Sequence, residues 1–273
     1  MSPPRKRFGQ HWLRSEKVLD QILVAAALGE GDRILEIGPG TGILTRCLLP
    51  LVEAVAAVEI DRDLCKKLVQ KFAKQTDKFL LLQGDILTLD LAAHLAAFPK
   101  FQSPNKVVAN IPYYITGPIL EKLLGTIKAP ITAPFESIVL LVQKEVAQRL
   151  YAKPGSKAAG ALSIRVQYLA ECELICQVPA SAFQPPPKVD SAVVRLQPRL
   201  FQPPAQDPTH LDLLVKQGFA AKRKMLRNNL QGLVERDRLN QLLTDMNVNP
   251  QARAEDLGVR EWVELSNRLT MGD

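Results

Sequence analysis

Arg33-Ile-Leu-Glu-Ile-Gly-Pro-Gly-Thr-Gly42 is the stretch on which the fold turns. It opens with a short apolar run, the pattern of a buried strand, and breaks into glycines at positions 38, 40 and 42. Thr41 to Leu51 then resumes helical spacing. A strand that turns through glycine into a helix opens a strand–helix–strand unit. The pattern repeats downstream. Ala54 to Ile60 reads as a strand, and Arg62 to about Lys74 as a helix. Phe79 to Leu82, Lys106 to Ala109 and Ser137 to Val142 read as further strands, with a helix over Thr116 to Thr126. Upstream, Ser15 to Leu28 reads as a helix capped by Ser15. Alternating strands and helices predict an α/β fold, a parallel sheet covered on both faces.

Beyond Lys144 a helical region runs to about Tyr151, a loop covers Lys153 to Gly160, and another helix follows. Cys172 to Val178 and Ser191 to Leu196 then suggest an antiparallel pair. Between them, Ala182-Phe-Gln-Pro-Pro-Pro-Lys-Val-Asp190 cannot be helix or central strand, because its prolines lack N–H donors. The proline-rich stretch Pro198 to Pro208 marks a boundary. The expected domains are therefore residues 1–200, built on the sheet, and residues 201–273, small and all-helical.

The chain has 273 residues, 47% hydrophobic and 23% charged, which excludes disorder for its bulk. No apolar run approaches the ~20 residues that span a bilayer, so no membrane partner is expected. The basic start is not followed by a signal core, and a cytoplasmic location is expected. Cys172 and Cys176 have no second pair and no nearby His. Buried thiols are expected there, and no metal. The net charge of +7 hints at an anionic partner. Its distribution says more. Arg5, Lys6, Arg7, Arg14 and Lys17 face one acid, Glu16, while Lys216, Lys222, Arg223, Lys224 and Arg227 face none.

The glycine turn and the helix after it suit a ligand that approaches the backbone closely. A nicotinamide fingerprint needs a third glycine where Ile43 stands, and a phosphate loop needs a following Gly-Lys pair that is absent. Glu36-Ile-Gly-Pro-Gly-Thr-Gly42 instead resembles the E-x-G-x-G-x-G of class I S-adenosylmethionine-dependent methyltransferases. That likeness implies a Rossmann-like sheet and S-adenosylmethionine as cofactor. Two later strand ends agree. Val58-Glu-Ile-Asp61 sets Glu59 where a carboxylate accepts ribose hydroxyls, and Gln83-Gly-Asp85 sets Asp85 where it accepts from the adenine amine.

Asn110-Ile-Pro-Tyr113 follows the fourth strand, at the edge where parallel sheets bind ligands. It suits methylation of an amine on a base. Such an amine is a poor nucleophile, because its lone pair conjugates with the ring. The Asn110 side-chain oxygen and the Ile111 carbonyl are candidate acceptors for its two hydrogens. Pro112 stiffens the turn and removes a competing donor. Tyr113 can stack on the base.

These motifs resemble, in order, those of the ribosomal RNA adenine dimethyltransferases. N-[IL]-P-Y is that family's amine-methyltransferase motif. Arg7-Phe-Gly-Gln-His-Trp-Leu13 is similar to its F-G-Q-N-F-L, and Phe183-Gln-Pro-Pro-Pro-Lys-Val-Asp-Ser191 to its F-x-P-x-P-K-V-D-S. Phe219 to Leu230 is similar to its basic C-terminal helix motif. The likeness spans nearly the whole chain and is greatest to the bacterial small-subunit branch. It implies dimethylation of N6 on two adjacent adenosines in the 3′-terminal hairpin of small-subunit ribosomal RNA, with a part in ribosome biogenesis. It also implies cofactor contacts at His11, Leu13, Gly38, Glu59, Asp85 and Asn110. His11-Trp12 stands where the family has Asn-Phe, and His11 still donates and accepts hydrogen bonds.

Phe183 is the second half of the family's base clamp, and its other reading is a core plug under an edge loop. Lys222, Arg223, Lys224 and Arg227 are expected on a basic helix that contacts RNA phosphates, and their other reading is a solvated face. The partner implied is small-subunit ribosomal RNA within an immature small subunit, met by a monomer. Two other functions stay open on the sequence. One is a large-subunit adenine dimethyltransferase of the macrolide-resistance type. The other is a non-enzymatic assembly factor.

Overall fold

The computed structural model describes residues 11–270. Arg5, Lys6, Arg7 and the first part of the opening motif lie outside the described residues. The elements run β1 (Trp12–Leu13), α1 (Glu16–Ala26), β2 (Arg33–Ile37), α2 (Ile43–Leu48), β3 (Ala54–Glu59) and α3 (Arg62–Lys71). Then come β4 (Phe79–Gln83), α4 (Leu91–Leu95), β5 (Lys106–Asn110), α5 (Thr116–Leu124), β6 (Ser137–Gln143), α6 (Lys144–Leu150) and α7 (Ala161–Leu169). They are followed by β7 (Ala170–Val178), β8 (Phe183–Gln184), β9 (Ser191–Pro198), α8 (Pro208–Gly218), α9 (Leu226–Asn229), α10 (Arg236–Asp245) and α11 (Val259–Thr270).

A seven-stranded sheet has the order β4-β3-β2-β5-β6-β9-β7. The strands from β4 to β6 are parallel, and β9 runs antiparallel to β6. The chain moves outward from β2 through β3 to β4, then returns to place β5 on the other side of β2. The C-terminal ends of β2 and β5 therefore flank the crevice where the winding reverses, the place such sheets use for ligands. Strand alternation divides the core. Val55 and Ala57 of β3 join the larger apolar cluster, while Ala54 and Ala56 face a smaller one with Leu95 and Phe101. Helix ends follow local chemistry. Ser15 accepts from the Val18 N–H at the start of α1, and Asp207 from Thr209 and His210 at the start of α8, with Pro208 in its first turn.

The chain divides into two compact units. One takes the chain up to Leu123, Ala133–Ala147 and Glu173–Pro198, and the other takes Leu124–Thr132, Gln148–Cys172 and the chain from Arg199. The sheet ends at Pro198, beside the expected boundary, but two earlier segments join the C-terminal unit. Asp212 of α8 shows why. It pairs with Arg165 of α7 at 3.0 Å and with Lys128 at 3.3 Å. Within the same unit Trp262 of α11 is fully buried, and a Cβ on Gly218 would come within 2.3 Å of its ring. Only glycine lets α8 approach the indole so closely.

All four cysteines are free; Cys65 is buried, while Cys172 and Cys176 are partly buried, and burial raises the pKa of both of those thiols. Among the described residues no helix is long and apolar enough to cross a membrane, and no cluster of side chains could hold a metal ion.

Candidate active site

The glycine turn after β2 is held in a backbone form that other residues avoid, with φ of +66° at Gly38, +58° at Gly40 and +71° at Gly42. At Gly40 there is a second constraint. A Cβ there would sit 2.6 Å from the Trp12 ring, so the indole of β1 lies directly on the turn. Glu59, buried at the end of β3, ties the turn down. Its carboxylate accepts from the Gly40 N–H at 3.1 Å and from the Asp61 N–H at 2.9 Å. Burial pushes its carboxyl above the ordinary value, and those two N–H donors oppose the shift. After β4, Asp85 accepts from the Leu87 N–H at 2.9 Å.

Asn110 ends β5 and reaches across to the N-terminal segment. Its side-chain amide donates to the His11 carbonyl at 3.5 Å, which leaves its Oδ1 as an acceptor. Ile111 follows with a fully buried side chain, and Pro112 leads into a single 3₁₀ turn, Tyr113–Ile115. Tyr113 is half-buried. Its hydroxyl shares a hydrogen bond with Ser191 Oγ at 2.6 Å, and its ring stacks over His11 with centroids 6.1 Å apart and planes 18° apart. Burial raises the Tyr113 phenol, and the Ser191 bond opposes this. His11 is anchored in turn by its Nδ1, 2.8 Å from the Pro185 carbonyl.

His11, Leu13, Gly38, Glu59, Asp85, Asn110, Ile111, Pro112 and Tyr113 all line one cleft. Phe183 is not among them. β8 pairs with β1 and sets Phe183 opposite Leu13, so its ring is 4% exposed inside the larger apolar cluster. In this structure the ring packs into the core, as the core-plug reading of the motif has it, and does not face the cleft. Among the other lining residues, sequence reasoning did not single out Trp12, Glu36 or Tyr114. Glu36 was legible as the acid of E-x-G-x-G-x-G. Nothing local marks the other two.

Glu36 is fully buried and accepts from Thr45 Oγ1 at 2.7 Å. Burial pushes its carboxyl up to about 8, against the opposing bonds from Thr45. The folded-state value lies above the ordinary 4.5, so this group favours folding most at low pH, and the contribution fades as pH rises through about 8. Glu36→Gln should therefore gain stability relative to the parent as pH rises. Thermal melts from about pH 5 to about pH 9 check this, and parallel curves would refute it.

The basic stretch differs from expectation. Lys222, Arg223 and Lys224 are exposed in a turn between α8 and α9, and only Arg227, half-buried, is helical. The helix stops because α8 ends on a glycine, and the Asn229 side chain takes the carbonyls of Gly218 at 2.6 Å and Ala221 at 3.0 Å. Lys222 Nζ donates to the Lys157 carbonyl at 2.7 Å.

Residues 1–271 match the family model described as ribosomal RNA adenine dimethylase. A relative from Trichormus variabilis named "Ribosomal RNA small subunit methyltransferase A" is 71% identical over 98% of this chain and 99% of its own. Among solved structures, a dimethyladenosine transferase from Plasmodium falciparum superposes with a TM-score of 0.78 at 26% identity, over 96% of this chain and 98% of the other. The 23S rRNA methyltransferase ErmE superposes with a TM-score of 0.74 at 28% identity, over 95% of this chain and 99% of the other.

Proposed function

The chain belongs to the ribosomal RNA adenine dimethylase family, and from that premise we propose that it methylates adenine N6 in small-subunit ribosomal RNA, with S-adenosylmethionine as donor. The targets are two adjacent adenosines of the 3′-terminal hairpin, each dimethylated. One observation carries the reading: Asn110-Ile-Pro-Tyr113 lines the same cleft as Glu59 and Asp85. The 71% identical relative named for the small subunit favours that RNA over the large-subunit alternative.

The cleft fits this cofactor. Acids and a glycine backbone line it, and among the described residues no Lys or Arg does. Such a lining repels a polyphosphate and favours a cation. Bound there, S-adenosylmethionine supplies a methyl group already activated on a sulfonium. Glu59 would hold the ribose hydroxyls on the lone pairs that the Gly40 and Asp61 N–H groups leave, and Asp85 would accept from the adenine amine. His11, Leu13 and Gly38 complete the cofactor contacts.

On the substrate side, Asn110 Oδ1 and the Ile111 carbonyl hold the two hydrogens of the target amine. That turns its lone pair out of conjugation and toward the methyl group. Tyr113, fixed by Ser191, holds the base by its face. The product proton leaves to water, so no strong base is needed. Catalysis here is positioning for an in-line transfer. The partner is an immature small subunit in the cytoplasm, met by a monomer.

Lys222, Arg223, Lys224 and Arg227 contact RNA phosphates from the helical residues 201–273. Each phosphate contact releases counterions, so affinity falls with salt. Changing Lys222, Arg223 and Lys224 together to alanine should weaken RNA binding and flatten the salt slope by roughly two units. Cofactor affinity should not change. RNA binding across a salt series, beside a cofactor titration, measures both. An unchanged slope would make the turn a solvated surface.

The functional reading is tested by offering labelled cofactor with immature small subunits and with large-subunit RNA. Label in the small subunits alone is expected. Label in large-subunit RNA would overturn the reading in favour of the resistance-type activity.

A further inference from the structure

We propose that Tyr114 stacks on the nucleotide that flanks the target adenosine, replacing the neighbour that base loses when the adenine is drawn into the cleft. This rests on the functional reading above.

The argument starts from the 3₁₀ turn Tyr113–Ile115. Such a turn rotates about 120° per residue, so neighbouring side chains point different ways. Tyr113 is committed: its hydroxyl is on Ser191 and its ring is over His11. Tyr114 lines the same cleft yet is 60% exposed. A single exposed aromatic is unremarkable on an open surface. This one lines the same cleft as Asn110.

Enzymes that act on a base take it out of its stack. Extrusion bares one face of the adjacent base, and an aromatic ring at the rim can cover it. Stacking of this kind does not depend on which base is present, because every base has a π-face. Phe183, the other aromatic singled out by its motif, is buried at 4% exposure and does not line the cleft. Tyr114 is the ring already presented to the strand.

A stack on the flanking base is made equally before and during transfer, so its loss should raise KM and leave kcat nearly unchanged. With immature small subunits as substrate, Tyr114→Ala should raise the KM for RNA about 5- to 150-fold. Tyr114→Phe, which keeps the ring, should stay within about twofold. S-adenosylhomocysteine affinity, measured on each variant, should be unchanged and reports an intact cleft. A second readout needs no turnover. Hairpin RNA carrying 2-aminopurine beside the target, on each side in turn, should remain quenched when wild type binds. At one of the two positions it should brighten when Tyr114→Ala binds. A KM for Tyr114→Ala within about twofold of wild type would overturn the proposal. So would equal brightness with both proteins at both positions. If wild type leaves small subunits unmethylated, the functional reading fails first and takes the proposal with it.

Discussion

Asn110→Ala should lower the rate of methyl transfer by about 10²–10³, the usual cost of removing one preorganised polar contact from a reacting centre. The size of the effect follows from what the side chain does. The Asn110 amide donates to the His11 carbonyl, which leaves Oδ1 available for the role proposed for it, accepting from the target amine. Water at the same place would not be preorganised. The fold should survive, because Asn110 is only partly buried at the end of β5 and its backbone remains in the ladder with β6. Single-turnover transfer at saturating cofactor and RNA measures the step. A rate within about threefold of wild type would remove Asn110 from the chemistry.

Glu59→Ala has the second largest effect, on cofactor affinity. A charge-assisted hydrogen bond is worth about 1.5–3 kcal/mol, so affinity for S-adenosylhomocysteine should fall roughly 10- to 150-fold. The same change strips acceptors from the N–H groups of Gly40 and Asp61. Stability should fall as well, by about 1–3 kcal/mol for each donor left buried and unpaired. Glu59→Gln separates the two effects. It keeps a hydrogen-bond acceptor near the turn and loses the charge, so more of the stability than of the affinity should return. Calorimetry with S-adenosylhomocysteine, alongside thermal melts, measures both. Unchanged affinity in Glu59→Ala would rule out the ribose contact.

What could be read ahead of the structure was local. The glycine turn, the apolar strands and the acids at their ends each leave a mark within a few residues, and together they specify a parallel sheet with a ligand crevice. The candidate site residues Gly38, Glu59, Asp85 and Asn110 fall at or just after strand ends, so the order of the strands carries them into one cleft. What escaped was set by distant partners. Phe183 looks like an exposed aromatic on a proline loop, and only its pairing with Leu13 in β1 turns it into the core. Trp12 gives no hint that its ring will lie on Gly40. Lys222 to Lys224 carry a helical pattern that ends because a side chain further on, Asn229, takes the backbone carbonyls. Arg165 shows no bias toward either unit until it meets Asp212. Tyr114 differs from Tyr113 only in what surrounds it.

The most direct test of the account is the identity of the modified nucleotide. Immature small subunits are incubated with pure protein and S-adenosylmethionine carrying a heavy methyl group, and their RNA is digested and mapped by mass spectrometry. The account predicts two adjacent N6,N6-dimethyladenosines in the 3′-terminal hairpin, all four methyl groups heavy with wild type and nearly absent with Asn110→Ala. Heavy methyl groups elsewhere in the RNA, or on another atom of the base, would contradict it.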